Sequence, residues 1–219
     1  MKRAYDEMYL EDGMRNLGTA FDFAKHSYNI EMDDFYLSFV NSGIAEQFEN
    51  GVPKYISGMS GIEIVLEVLK GGDDFRYKED YISYDYSCEY WCGWILAYFQ
   101  WYYSIGFDDL AYYLKMEDLE RLYDILHETS EVKATEVISA HIRNKKMITR
   151  LQYHRLKNNQ SQHSLSEKSG VSLRMIQQYE QRKKAINKAS VSSLYSLARV
   201  LNCRIENLME WDFKDNTLA

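Results

Sequence analysis

Three long polar side chains lie on one side of a short predicted helix in the C-terminal third of the chain. They are Arg174, Gln177 and Gln178. Ile176 and Tyr179 belong to the same segment and are expected to face inward. An arginine can bind a guanine edge through two hydrogen bonds, and a glutamine can bind an adenine edge in the same way. These residue types in this arrangement indicate contact with base edges in the major groove of DNA.

Two serines and a glycine predict the elements that position these side chains. Ser161 and Ser172 each place an acceptor hydroxyl where a helix N-cap is needed. Gly170 lies where the chain must turn sharply, and glycine tolerates the positive φ that such a turn often requires. Val171 is expected to fill the angle between the helices. The pattern predicts two short helices joined by a tight turn, with Leu173–Glu180 as the second, which is a helix-turn-helix.

Further DNA contacts are predicted on either side of this second helix. Gln162 begins the first helix, where the helix dipole and free N–H groups attract a phosphate. Leu173 either touches a thymine methyl group or simply lies on the surface, and Arg174 contacts either a base or a phosphate. A basic loop after Glu180 would follow the phosphate backbone. The predicted DNA-binding residues are Gln162, Ser172, Leu173, Arg174, Gln177, Gln178, Arg182, Lys183 and Lys184.

Additional helices are predicted around this pair. One precedes it, at residues 148–157, with Ile148, Leu151 and Leu156 expected to be buried. Another begins after Ser190 and ends at Asn202, because its apolar residues recur at spacings of three and four. A last short helix is predicted from residue 205 to 211.

The order of these five helices resembles the phage-repressor family of DNA-binding domains, known as Cro/C1 or XRE. The resemblance covers about the last third of the chain. It implies a dimer that binds an inverted repeat, with base contacts at Ser172, Leu173, Arg174 and Gln178. Two departures are Ser166, where the family usually has alanine, and the run after Glu180, where glycine and lysine are common. The residues that carry the resemblance are Leu151, Leu156, Gln162, Leu165, Gly170, Val171, Ser172, Ile176, Tyr179, Glu180, Leu194, Leu197, Ala198, Leu201, Ile205 and Leu208.

The charge of the chain is divided between its two parts. The formal net charge is −7, which by itself argues against a nucleic-acid partner. From His141 onward, however, fifteen Lys and Arg face six Asp and Glu, a net of plus nine. The preceding residues hold eleven Lys and Arg and twenty-seven Asp and Glu, a net of minus sixteen. Because salt screens charges beyond about 10 Å, the basic part can bind DNA despite the total.

Helical periodicity also dominates the N-terminal part. An apolar stripe predicts a helix over residues 9–28, formed by Leu10, Met14, Leu17, Phe21, Ala24 and Tyr28. Further helices are predicted to be capped or started by Asp33, Ser60, Ser87, Asp108, Glu117 and Ser130. The Ser60 helix is expected to end at Gly71-Gly72, and residues 73–86 to form a loop, with short β pairing as the alternative. The fold class is therefore all-α: an acidic, aromatic-rich multi-helix domain at 1–143, then a five-helix helix-turn-helix domain at 144–219.

The segment 89–103 is apolar on nearly every side of its predicted helix. Such a helix is usually the central helix of a domain, and Gly93 would let a neighbouring helix approach closely. The alternative is an aromatic pocket or a surface that binds a partner protein, with Glu89 and Gln100 as its polar contacts. The segment resembles the aromatic stretch of an uncharacterised region that precedes repressor-type domains in some Gram-positive bacterial proteins. That resemblance implies no particular chemistry.

Sequence patterns of catalysis are missing. There is no phosphate-binding glycine loop, no His-Glu-x-x-His and no Gly-x-Ser-x-Gly, and the five histidines are scattered. We therefore expect no enzyme activity, no cofactor and no metal site. Cys88 and Cys92 are four residues apart, and buried thiols are favoured over a metal or redox role. The three cysteines, the lack of a signal-peptide core and the lack of a long apolar run predict a cytoplasmic protein without membrane contact.

Two functions fit these observations. The first is a bacterial transcriptional regulator, a repressor that binds double-stranded DNA as a homodimer and senses a small-molecule effector or a partner through residues 1–143. The second is an antitoxin-like protein, whose N-terminal domain binds a partner protein and whose C-terminal domain regulates its own operon. The same DNA-binding residues serve both functions.

Overall fold

The computed structural model describes residues 3–70, 87–211 and 213, and the regular elements in these ranges are all helical. The chain divides into two compact units: Met1–Arg143 with Phe213–Ala219, and Asn144–Asp212. The predicted all-α fold class is confirmed for the described residues. The predicted end of the helix at Gly71-Gly72 and the predicted loop at residues 73–86 lie outside the described residues.

Nine α-helices are described in the N-terminal part of the chain, after a 3₁₀ turn at Glu7–Tyr9. They are α1 (Leu10–Tyr28), α2 (Met32–Asn41), α3 (Ile44–Glu49), α4 (Pro53–Ile56), α5 (Gly61–Val68), α6 (Cys88–Tyr103), α7 (Phe107–Tyr113), α8 (Met116–Leu126) and α9 (Glu131–Asn144). The middle of the predicted α1 stripe is buried, whereas Leu10 and Tyr28 at its ends are only half-buried.

Helices α1 and α6 cross with their backbones in contact. A Cβ atom built on Gly93 would lie 2.5 Å from the carbonyl oxygen of Leu17, and one on Gly18 would lie 2.9 Å from that of Tyr90. Neither distance is compatible with a larger side chain in this arrangement. Helix α6 is buried around most of its circumference, including Cys92, Leu96 and Gln100. The prediction of a central core helix, with Gly93 at a close approach, is confirmed.

Three of the predicted N-caps in this unit are confirmed: Ser60, Ser87 and Ser130, whose hydroxyl accepts from the Lys133 N–H at 3.4 Å at the start of α9. The Ser60 hydroxyl accepts a hydrogen bond from the Glu63 N–H at 3.3 Å, and the Glu63 carboxylate accepts one from the Ser60 N–H at 2.8 Å. The Ser87 hydroxyl accepts from the Tyr90 N–H at 2.9 Å at the start of α6. Each hydroxyl satisfies a backbone donor that the helix itself leaves unpaired.

The predicted cap at Asp33 is wrong. Helix α2 begins after Glu31, and the Asp33 carboxylate accepts a hydrogen bond from the Met116 N–H at 3.1 Å, at the start of α8. The short helices predicted to start at Asp108 and Glu117 are present as α7 and α8, and each begins one residue earlier. At the start of α7, the Phe107 N–H donates to the Glu49 carboxylate at 2.6 Å. At the starts of α7 and α8, a carboxylate from a distant helix accepts a hydrogen bond from a backbone N–H that the helix leaves unpaired. Local sequence patterns do not reveal such a partner.

Phe213 belongs to the first unit, whereas the predicted domain 144–219 included it. Its ring is 2% exposed and packs at centroid distances of 5.8 Å on Phe99, 5.4 Å on Tyr103 and 5.1 Å on Tyr113. The Arg143 guanidinium donates to its carbonyl oxygen. A single aromatic residue can bury enough apolar surface to hold the chain in the first unit.

The second unit contains four described α-helices and two 3₁₀ turns. They are α10 (Arg150–Lys157), α11 (Gln162–Ser169), α12 (Leu173–Glu180), α13 (Val191–Leu201), and the turns Ile186–Lys188 and Glu206–Leu208. Its core is aliphatic apart from Tyr179, and includes Leu151, Leu165, Ile176 and Leu197.

Two expectations for α10 are wrong. Ile148 is 42% exposed and Leu156 is 50% exposed, whereas Leu151 is fully buried as predicted. The inward side of α10 carries Leu151 and, one turn later, Arg155, which is 8% exposed. Leu156 is the next residue around the helix and therefore points away from the core. The Arg155 side chain, whose guanidinium is paired with the Glu180 carboxylate, takes the buried position that the pattern assigned to Leu156.

The helix predicted at residues 205–211 is only a 3₁₀ turn, Glu206–Leu208. After it the chain is extended, with Met209 at ψ 142°. The Asn187 side chain accepts from the Glu210 N–H at 2.8 Å and donates to the Glu210 carbonyl at 2.7 Å. The Glu210 N–H and carbonyl are therefore both bonded to Asn187, and neither is available for the backbone hydrogen bonds of a longer helix.

Candidate nucleic-acid interface

The predicted turn between α11 and α12 is confirmed. Gly170 ends α11 at φ 71°, and its N–H donates to the Ser166 carbonyl at 2.9 Å. The Ser161 hydroxyl accepts from the Ser164 N–H at 3.0 Å at the start of α11. The Ser172 hydroxyl accepts from the Met175 N–H at 3.4 Å at the start of α12. Both helices therefore begin at the predicted serines.

Two further serines stabilise the turn from within. The Ser166 hydroxyl donates to the Val171 carbonyl at 2.8 Å. The Ser169 hydroxyl donates to the Leu165 carbonyl at 2.6 Å and accepts from the Val171 N–H at 3.2 Å. Val171, 9% exposed, is thus fixed at both of its backbone polar groups. Ser166, which departs from the family's usual alanine, adds a hydrogen bond that alanine cannot make.

Helix α12 presents one buried side and one accessible side. Ile176 is fully buried and Tyr179 is 6% exposed, as predicted. On the accessible side, Ser172 and Arg174 are exposed, and the three remaining predicted contacts are half-buried: Leu173, Gln177 and Gln178. The first turn of the helix is therefore free to enter a groove, which is the part that contacts bases in helix-turn-helix proteins.

A buried ion pair fixes the far end of α12. The Glu180 carboxylate, whose side chain is 3% exposed, accepts two hydrogen bonds from the Arg155 guanidinium, at 2.7 Å from Nε and 2.9 Å from Nη2. Arg155 Nη1 donates to the Gln160 carbonyl at 2.7 Å. Such a two-point pair defines the orientation of both helices that carry it.

Gln162 joins the same network. Its side-chain amide donates to Glu180 Oε2 at 2.7 Å. An amide nitrogen carries two hydrogens, so this bond leaves one donor as well as the carbonyl oxygen for other partners. The Gln162 side chain is therefore held between the start of α11 and the end of α12.

The basic loop after α12 has two different kinds of cation. Arg182 adopts φ 55° and its guanidinium donates to Glu210 at 3.2 Å and to the carbonyls of Met147 at 3.1 Å and Ile148 at 3.3 Å. Lys183 and Lys184 are exposed. Arg182 therefore anchors the loop to its own unit, whereas the Lys184 ammonium contacts the Met175 sulfur at 3.7 Å and Lys183 is exposed.

Burial keeps two side chains of this unit, the Tyr179 hydroxyl and the Cys203 thiol, in their neutral form. It raises the pKa of Tyr179, and it raises the pKa of Cys203 to about 11. Neither group is ionised near neutral pH.

Sequence reasoning missed the pairing of Arg155 with Glu180. A signal was present, because Glu180 follows Ile176 by four residues and shares its inward side. A carboxylate on a buried helix face requires a buried partner. The identity of that partner could not be deduced, since Arg155 lies 25 residues earlier in the chain.

Comparison with protein families gives a match in the C-terminal part of the chain. Residues 151–208 match the protein-family model described as helix-turn-helix. This part of the chain is a helix-turn-helix domain of the Cro/C1, or XRE, type, and the match indicates a DNA-binding transcription regulator. No curated protein and no solved structure matches the chain significantly. Among the described residues, no helix is both long enough and apolar enough to cross a membrane.

Proposed function

We propose that this protein is a cytoplasmic, non-enzymatic transcriptional repressor that binds an operator as a homodimer. Each copy places the first turn of α12 in the major groove of one half-site. The half-sites of such a dimer are about 34 Å apart, one turn of DNA. The observation that supports this most directly is the exposure of Ser172 and Arg174 on a helix anchored by Ile176 and Tyr179.

In this proposal the predicted contacts divide by chemistry. Arg174 and Gln178 bind base edges, with Ser172, Leu173 and Gln177 beside them. Lys183 and Lys184 bind phosphates, and Gln162 donates its remaining amide hydrogen to a phosphate near the start of α11. Arg182 contributes by holding the loop, because its guanidinium already has three acceptors within its own unit.

The first unit is assigned the regulatory role. Its residues carry the acidic charge, which disfavours direct contact with phosphates. A small effector or a partner protein bound there would modulate operator binding. A second candidate function, the antitoxin-like one, is favoured by the same charge, because an acidic surface suits a basic partner. A neighbouring gene whose product is toxic alone, and is neutralised when this chain is co-expressed, would support the second function. The absence of such a gene would contradict the second function.

The proposal is tested by selecting bound sequences from a random duplex library with the full-length chain. We expect enrichment of an inverted repeat and two chains per duplex, as measured by native mass spectrometry. A matched pair of variants controls for charge: Lys183→Ala with Lys184→Ala should weaken binding to every duplex, whereas Lys70→Ala with Lys133→Ala, also exposed, should not. Absence of binding to any duplex at low salt would contradict the proposal.

A further inference from the structure

Three potential metal ligands converge where the last turns of α1 meet the start of α6. His26 Nε2 lies 3.5 Å from Asp22 Oδ1 and 3.4 Å from Glu89 Oε2. One ligand atom from each of the three residues lies within 4.8 Å of the other two. Asp22 and His26 are one helical turn apart on α1, whereas Glu89 comes from a distant part of the sequence.

These distances fit coordination better than direct hydrogen bonding. A charge-assisted N–H to carboxylate bond is about 2.7–2.9 Å long, shorter than either observed distance. A zinc ion binds histidine nitrogen and carboxylate oxygen at about 2.0–2.2 Å, which in a tetrahedral site separates neighbouring ligand atoms by roughly 3.4 Å. The distances from His26 to both carboxylates agree with that separation.

The three residues are held in place by the surrounding structure. The Asp22 side chain is fully buried and accepts a hydrogen bond from the Ser87 hydroxyl, and ligating carboxylates are commonly oriented by such a second bond. The close approach at Gly93 and Gly18 fixes α6 against α1, and with it the position of Glu89. The nearby ammonium of Lys25 is paired with Glu31 at 2.7 Å.

We propose that Asp22, His26 and Glu89 bind one divalent transition-metal ion of the zinc class. The His26 side chain is 45% exposed, so the ion would be reached from solvent and would keep a fourth position for water or another ligand. Binding would connect α1 to α6 and stabilise the first unit. The site goes beyond the proposed DNA-binding function, and its test needs no DNA.

The test is a titration of the untagged, metal-free full-length chain with Zn²⁺, in which calorimetry measures the binding. Titrations with Mg²⁺ and Ca²⁺ serve as the comparison. We expect one Zn²⁺ per chain, an increase in the melting temperature of the first unit, and weaker binding of the two harder cations. His26→Gln and Glu89→Gln should each lower the Zn²⁺ affinity by roughly tenfold or more. Both side chains are partly exposed, and circular dichroism checks that the variants remain folded.

Two controls distinguish this site from other zinc ligands. His163 and Glu167 form an exposed pair at the same 3.4 Å separation, and the described part of the chain offers them no third ligand, so His163→Gln should leave the affinity unchanged. Cys88 and Cys92 are free thiols close in sequence to Glu89, and Cys88→Ser with Cys92→Ser should also leave it unchanged. A Co²⁺ complex should show no thiolate charge-transfer band. Zn²⁺ affinity that is lost in the cysteine variant, or that is unaffected by His26→Gln, would overturn the proposal.

Discussion

The core of the first unit is rich in aromatic rings and contains a close backbone approach between two helices, whereas the second unit combines a small aliphatic core with a buried ion pair. In the first, Phe39, Phe48 and Phe107 are fully buried and pack edge-on at centroid distances of 5.3–6.2 Å. In the second, Arg155 and Glu180 are buried together between α10 and α12. A small domain buries little apolar surface, so hydrogen bonds with defined geometry have more influence on how its helices are oriented.

The largest expected effect is on the polar network of the second unit. Glu180→Ala leaves the Arg155 guanidinium buried without its carboxylate, and should lower the free energy of unfolding of that unit by about 3–5 kcal/mol. Glu117→Ala is the control, because the Glu117–Arg121 pair is exposed and should contribute less than about 1 kcal/mol. Native-state hydrogen exchange, read separately from peptides of each unit, measures both. If both substitutions lowered the free energy of unfolding equally, the buried ion pair would have no special role in stabilising the second unit.

A smaller effect is expected from the close approach in the first unit. Gly93→Ala would place a methyl group 2.5 Å from the Leu17 carbonyl oxygen, so α1 and α6 must separate. We expect the free energy of unfolding of the first unit to fall by about 1–3 kcal/mol. Gly43→Ala is the matched control, since its Cβ meets nothing within 4 Å and only its left-handed φ of 79° is penalised, by about 1 kcal/mol. Urea unfolding followed by tryptophan fluorescence reports on this unit through Trp91, Trp94 and Trp101. A Gly93 variant no less stable than the Gly43 variant would contradict the close contact.

The acidic first unit should also respond to pH through Glu49. Burial, together with the charges of Asp109, Glu46 and Asp108, raises the Glu49 pKa to about 7, from 4.5 for the ordinary side chain. The folded state therefore keeps a proton that the unfolded state has lost, and stability falls as pH rises from about 4.5 to about 7. Because Glu49 is only partly buried, we expect the free energy of unfolding to fall by about 1–2 kcal/mol over this pH range.

Glu49→Gln tests this dependence. The variant should be more stable than the parent at pH 8, and the difference should shrink or vanish by pH 5. Urea unfolding at both values measures it, with Glu46→Gln, exposed on the same helix, as the comparison. A Glu49→Gln variant whose stability differs from the parent equally at both values would show that Glu49 does not titrate in this window.

The smallest expected effect concerns the exposed lysines of the second unit. Removing Lys183 and Lys184 together should reduce the slope of log affinity against log salt by about 2, since each phosphate contact contributes about 0.9. Arg182→Ala should instead destabilise the loop, because Arg182 bonds to Glu210 and to two carbonyl groups. An unchanged salt slope in the double lysine variant would rule out phosphate contact there.

Sequence alone predicted the elements whose signals are local. The caps at Ser60, Ser87, Ser161 and Ser172 and the turn at Gly170 each depend on residues within one helical turn. The central helix α6 followed from its composition. These features were predictable because the interactions that stabilise them occur between near neighbours in the chain.

Interactions between distant segments could not be predicted in this way. Asp33 caps α8, Glu180 pairs with Arg155, and Phe213 joins the first unit, and each partner lies 25 or more residues away. The grouping of His26 with Glu89 has the same character, although the i, i+4 spacing of Asp22 and His26 was visible. A pattern shows that a polar group needs a partner, but only the fold shows which one.

The most direct test of base recognition by α12 compares the full-length chain with Arg174→Ala in sequence selection from a random duplex library. Arg199→Ala, an exposed arginine on α13, is the matched control. We expect Arg174→Ala to lose preference at one base pair in each half-site, a discrimination of about 1–3 kcal/mol, while Arg199→Ala keeps the parent preference. An unchanged base preference in Arg174→Ala would contradict the assignment of Arg174 as a residue that contacts a base.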